Sequence, residues 1–66
     1  MEFENLDEAQ EVAGEFRDRA RELRAEAAAA EPGRGLMLQT LAGDYERRAT
    51  GLELYVESVR DTATHH

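Results

Sequence analysis

The side chains of this chain that are equipped for chemistry are few, and their types and spacing argue against a reaction. Nucleophilic catalysis needs an activated Ser, Cys, Thr or Lys beside a base. Ser58 is the only serine, Lys and Cys are absent, and both histidines, His65 and His66, stand in the last two positions. A catalytic triad has no members to draw on. Acid and base work by paired carboxylates needs a concave site that raises one pKa. The fifteen Asp and Glu of this chain, spread along helices, read instead as a solvated face.

Metal and anion chemistry fare no better. Bundle proteins that bind two metals use inward-facing Glu and Glu-x-x-His pairs, and no helical position here carries His. Asp61, His65 and His66 could gather a metal weakly at a frayed end, but the terminal pair reads as a tail or the remnant of a purification tag. No metal and no cofactor is expected. Gly33 and Gly35 lie where a second helix begins, and helix N-termini attract anions. The Gly-Lys-Ser/Thr signature of a phosphate loop is missing and no strand precedes it, so these glycines are read as turn geometry. Arg17, Arg19, Arg21 and Arg24 go round a helix rather than along one face, with Asp18, Glu22 and Glu26 among them. No nucleic-acid face is expected.

Composition bounds what must position these groups. Sixty-six residues form one small domain, and eight basic against fifteen acidic residues give a net charge of −7, which disfavours phosphate backbones and anionic membranes as partners. The start Met1-Glu2-Phe3-Glu4 is unlike a secretion signal, and the longest purely apolar run, Ala27 to Ala30, is far too short to span a bilayer. The expected location is cytoplasmic. Chains this small usually need a disulfide, a metal or a partner subunit to hold their fold. With no cysteine and no metal site expected, association is the remaining means.

The only proline lies in Glu31-Pro32-Gly33-Arg34-Gly35, near the middle of the chain, and marks a turn over residues 31–35. Upstream, Asn5 is placed to cap a helix over about 6–30 whose third position is Glu8, a near relative of the capping box, with Asp7 and Glu11 also favouring the positive end of its dipole. Along it, Leu6, Ala9, Ala13, Phe16, Ala20, Leu23, Ala27 and Ala30 follow alternating spacings of 3 and 4, the seam of an antiparallel coiled coil. A second helix over about 35–60 repeats the alternation through Gly35, Leu38, Ala42, Tyr45, Ala49, Leu52, Val56 and Val59, leaving a tail over 61–66. The predicted fold is an all-α antiparallel two-helix hairpin.

Folding back at the turn pairs residues whose numbers add to 65, and most levels then set a small side chain against a large one: Ala9 with Val56, Ala13 with Leu52, Phe16 with Ala49, Ala20 with Tyr45, Leu23 with Ala42. One flank of the seam brings Arg17 and Arg24 to Glu46 and Glu53 and is closed by opposite charge. The other lines up Val12 with Tyr55, Glu26 with Arg34 or Leu41, and Arg19 with Arg48, a like-charged pair. Alanine on one side of most levels removes little apolar surface from water. Gly14, Gly43 and Gly51 weaken the helices further. Val12, Met37, Leu41 and Tyr55, with Arg19 and Arg48, form an open flank that calls for cover, whereas Leu36 and Leu54 lie further round and read as scattered surface residues.

The segment Phe16-Arg-Asp-Arg-Ala20-Arg-Glu-Leu23-Arg-Ala25-Glu, followed by a Pro-containing turn and Leu38-Gln-Thr-Leu41-Ala42-Gly-Asp-Tyr45-Glu-Arg-Arg-Ala49, resembles short, largely uncharacterised bacterial two-helix proteins. Their pattern is Arg-x-x-Ala-x-x-x-Arg-x-x-Ala, an Asp-Pro turn, and Leu-x-x-Leu-Ala-x-x-Tyr-x-x-x-Ala. The similarity runs from about Phe16 to Leu52, and this chain departs from it with Glu-Pro-Gly-x-Gly at the turn. The resemblance implies a helical hairpin and no activity. Together these readings give a small non-enzymatic protein whose two hairpins pair as a homodimer in a four-helix bundle and act as an interaction or regulatory module. The competing expectation is an accessory subunit whose hairpin completes the bundle of another protein.

Overall fold

A computed structural model describes residues 5–64 of the chain. Two α-helices account for nearly all of them: α1, Leu6–Ala29, and α2, Pro32–Thr64, with no strand among the described residues. The helices fold back on each other as an antiparallel hairpin measuring 53 × 16 × 15 Å. Asn5 caps α1 as expected, its Oδ1 accepting a hydrogen bond of 2.7 Å from the Glu8 N–H. At the other end Ala30 turns to extended backbone, and its N–H donates to the Ala27 carbonyl at 3.2 Å.

The link is shorter than the sequence implies. Pro32-Gly33-Arg34 is the first turn of α2 rather than part of a five-residue loop, and the Glu31 carbonyl accepts from the Gly35 N–H at 2.8 Å. Proline at a first helical position has no N–H to lose and a φ already set for the helix, while it drives the residue before it out of helical geometry. Pro32 therefore both stops α1 and starts α2. No glycine among the described residues has positive φ, which corrects the reading of Gly33 and Gly35 as turn formers. Gly35 serves another need: a Cβ there would lie 3.0 Å from the Ala27 carbonyl oxygen, so its bare backbone lets the helices meet closely beside the link. At the far end α2 continues through Thr64 where a tail from 61 is expected from sequence, with Thr62 Oγ1 bonding back to the Ser58 carbonyl at 3.0 Å.

The seam is as expected. Ala20, Leu23, Ala27, Leu38 and Ala42 form one buried cluster beside the link, and Ala13, Ala49 and Leu52 form a second towards the open end. Each cluster unites levels whose numbers add to 65. Phe16 and Tyr45 join the two, their ring centroids 5.6 Å apart and their planes tilted by 45°. Both rings are half-buried. The last expected level, Leu6 with Val59, is loose: Leu6 is half-buried and Val59 exposed, because α2 runs on past the start of α1 and nothing described there covers it. Six of the ten buried core side chains are alanines, so the hairpin is slim and its core thin.

Candidate protein interface

The two flanks of the seam differ in kind. On the closed flank Arg17 grips Glu53 with two prongs, Nε donating to Oε2 at 3.1 Å, and its Nη2 reaches Thr50 Oγ1 at 3.3 Å. Arg24 grips Glu46 the same way, with Nε to Oε2 at 3.3 Å, and Arg60 donates to Gln10 Oε1 at 3.3 Å. In all three pairs the residue numbers add to 70 rather than 65. The offset has a geometric cause. Helical side chains lean towards the N-terminus of their own helix, so on antiparallel helices two side chains converge when each starts somewhat C-terminal of the other's level. The hydrogen bonds that Arg17 and Arg24 donate hold the Glu53 and Glu46 carboxyls below the usual carboxylate range, and the same bonds raise the guanidinium pKa values further.

The same lean explains the open flank. Glu26 and Arg34 add to 60 and lean apart, and no ion pair forms between them. Arg19 and Arg48 face one another at one level, yet each is satisfied within the chain: Arg19 Nη1 bonds Glu22 Oε2 at 2.9 Å, and the Arg48 guanidinium stacks over the Tyr45 ring, 5.6 Å from its centroid. Arg19 is therefore paired with a carboxylate of its own chain, while the charge of Arg48 rests on an aromatic face. The apolar members stand where they were expected. Val12 is half-buried, while Met37, Leu41 and Tyr55 are 55%, 43% and 43% exposed.

Sequence reasoning missed two members of this surface. Phe16 and Tyr45 are seam residues by spacing, but the Arg48 guanidinium over the Tyr45 ring shows that this ring turns to the open flank, and Phe16 packs against it. The signal was available in principle: each follows Val12 or Leu41 by four residues, one helical turn. Leu36 and Leu54, the most exposed large apolar residues at 69% and 59%, lie off the flank as expected.

Comparison of the chain with family models, curated proteins and solved structures returned no match. What the chain does must be argued from these surfaces. Each arginine of the Arg17, Arg19, Arg21 and Arg24 group holds a carboxylate, of Glu53, Glu22, Asp18 and Glu46 respectively, so no bare basic face exists there. Among the described residues no polar or charged side chain is buried, and no three His, Asp or Glu side chains gather closely enough to hold a metal. The candidate metal group at Asp61, His65 and His66 falls largely outside the described residues. No described helix is long and apolar enough to cross a membrane.

Proposed function

We propose that this chain is a non-enzymatic, self-associating helical module, cytoplasmic, whose open flank packs against that of a second copy to complete a four-helix bundle. The observation that carries this reading is the concentration of half-buried and exposed apolar side chains, Val12, Phe16, Leu41, Tyr45 and Tyr55, on one side of an alanine-lined core. The area agrees in scale. A compact monomer of 7.4 kDa exposes about 4200 Å², whereas the hairpin exposes 4952 Å². The excess, roughly 700 Å², is close to what one partner contributes to a standard protein interface, about 800 Å². The Glu46 and Glu53 carboxyls are displaced downwards from their usual pKa, opposite to what a general acid needs.

A second reading, an accessory subunit completing the bundle of an unrelated protein, is favoured by one observation: a net charge of −7 on each chain opposes the approach of two copies. Stoichiometry separates the two. Sedimentation equilibrium at micromolar concentration is expected to give twice the 7.4 kDa chain mass; a monomer that melts at low temperature would favour the accessory subunit. Leu41→Asp is expected to weaken assembly by at least about a hundredfold, since it buries a charge in the flank, and Leu54→Asp to leave it nearly unchanged. Equal effects would mean that the wrong face has been assigned.

A further inference from the structure

The open flank is electrically two-sided. On α1 it carries Glu8, Glu15, Glu22 and Glu26 with one cation, Arg19; on α2 it carries Arg34 and Arg48 with one anion, Asp44, which Arg47 of the same chain already binds. A uniformly acidic or basic partner would meet one of these strips with the wrong sign. A second copy meets both with the right sign, in only one of two arrangements. Two hairpins can cover each other's flank along their whole length about a two-fold axis parallel to the helices, or about one perpendicular to them in the plane between the hairpins. The perpendicular axis sets α1 beside the partner's α1 and so lays acidic strip on acidic strip, whatever the sliding offset. The parallel axis sets α1 beside the partner's α2, acid against base on both sides.

Resting on the self-association proposed above, we infer that the second copy docks about the parallel axis, with both links at the same end and Glu22 of each chain meeting the partner's Arg48. Rotation about an axis parallel to the helices leaves every residue at its own height, so the register within the hairpin is also the register between hairpins. Glu22 and the partner's Arg48 then add to 70, the relation of the observed interhelical pairs Arg17 with Glu53 and Arg24 with Glu46, and their side chains converge for the same reason. Glu22 comes to lie between its own Arg19, which it already binds, and the partner's Arg48. Of the two arginines that face each other across the flank, Arg19 thus keeps its own Glu22 and Arg48 gains the partner's Glu22. The same heights bring Val12 to the partner's Tyr55 and Ala29 to the partner's Met37, both apolar.

A mixing experiment tests this arrangement at fixed ionic strength. Glu22→Arg alone sets arginine against the partner's Arg48 twice per dimer, and Arg48→Glu alone sets glutamate against the partner's Glu22 twice. In 0.15 M salt, which screens most of the change in chain charge from −7 to −5 or −9, each variant by itself is expected to dimerise at least about tenfold more weakly than the parent. An equimolar mixture is expected to recover dimer, because the heterodimer has one restored pair and one reversed pair and no like-charged contact. Helicity by circular dichroism shows that both variants fold. Recovery on mixing, together with a short spin-label distance between Gly33→Cys positions of two chains, under about 30 Å for helices diagonally opposite in a bundle whose neighbours are spaced 8 to 10 Å apart, supports the parallel axis; Gly33 has open space for the label and the chain has no other cysteine. If the parent dimerises but the mixture does not recover, or the labels lie near the 53 Å length of the hairpin apart, the arrangement is overturned and self-association stands. A monomeric parent overturns both.

Discussion

Glycines decide more of this hairpin's stability than any charged residue, and they do so in opposite directions. Gly14 is in a helix interior with nothing within 4 Å of a Cβ placed there, so Gly14→Ala gains helix propensity without a steric cost. It is expected to add about 1 kcal/mol, seen as a rise in the circular dichroism melting temperature of about 4 to 8 °C. At Gly35 the new methyl meets the Ala27 carbonyl oxygen at 3.0 Å, a backbone atom that cannot rotate away. There overpacking of about 1 to 3 kcal/mol outweighs the propensity gain of about 1 kcal/mol, and Gly35→Ala is expected to lower the melting temperature. An increase would mean that the helices part at the link without loss. The sequence marks Gly14 as a weak point of a helix and Gly35 as part of a turn; the close approach of α2 to α1 shows what Gly35 is for.

At the scale of the element, what the sequence made legible was whatever depends on period and sign. The alternating spacing placed Ala13, Leu23, Ala42 and Leu52 in the core, and the opposite charges of Arg17 and Arg24 against Glu53 and Glu46 closed the correct flank. The start of α2 was not legible, since Pro32 and Gly33 serve a turn and a first helical turn equally well, and only the Glu31 to Gly35 hydrogen bond separates them. The turn of the Phe16 and Tyr45 rings to the open flank was legible only in part: their spacing of four from Val12 and Leu41 points there, while the 45° tilt between the rings depends on the packing of α1 against α2. The closed flank makes a prediction of its own. Glu46 and Glu53 have folded-state pKa values below the ordinary 4.5, so the stability they supply is complete above that value and lost as pH falls through the lower folded values. General self-repulsion of the acidic chain acts on parent and variant alike. The difference isolates the ion pairs: a Glu46→Gln, Glu53→Gln protein is expected to start less stable at pH 7 and to lose less on acidification from pH 5 to 3 than the parent. Parallel melting curves for the two would show the pairs to be without effect.

For the whole molecule, three forces of different range act on the meeting of two copies, and their magnitudes settle how salt must act. Apolar cover of the open flank supplies affinity and depends little on ionic strength at the concentrations in question. The Glu22 to Arg48 contacts select an arrangement, but exposed pairs contribute little and are weakened by salt. Against both stands the repulsion of two chains of charge −7 each. Spread along rods lying side by side, with mean separations of about 20 to 30 Å, it amounts to roughly 5 to 10 kcal/mol in water without screening. The screening length falls from about 30 Å at 0.01 M salt to about 8 Å at 0.15 M, which removes most of that repulsion while the short-range contacts lose much less. Dimerisation is therefore expected to tighten, by at least about tenfold, as sodium chloride rises from 0.01 to 0.15 M. Sedimentation equilibrium across that range measures it directly. A dimer that loosened with salt would be one held by its ion pairs, and the apolar flank would then lose its claim to be the source of affinity.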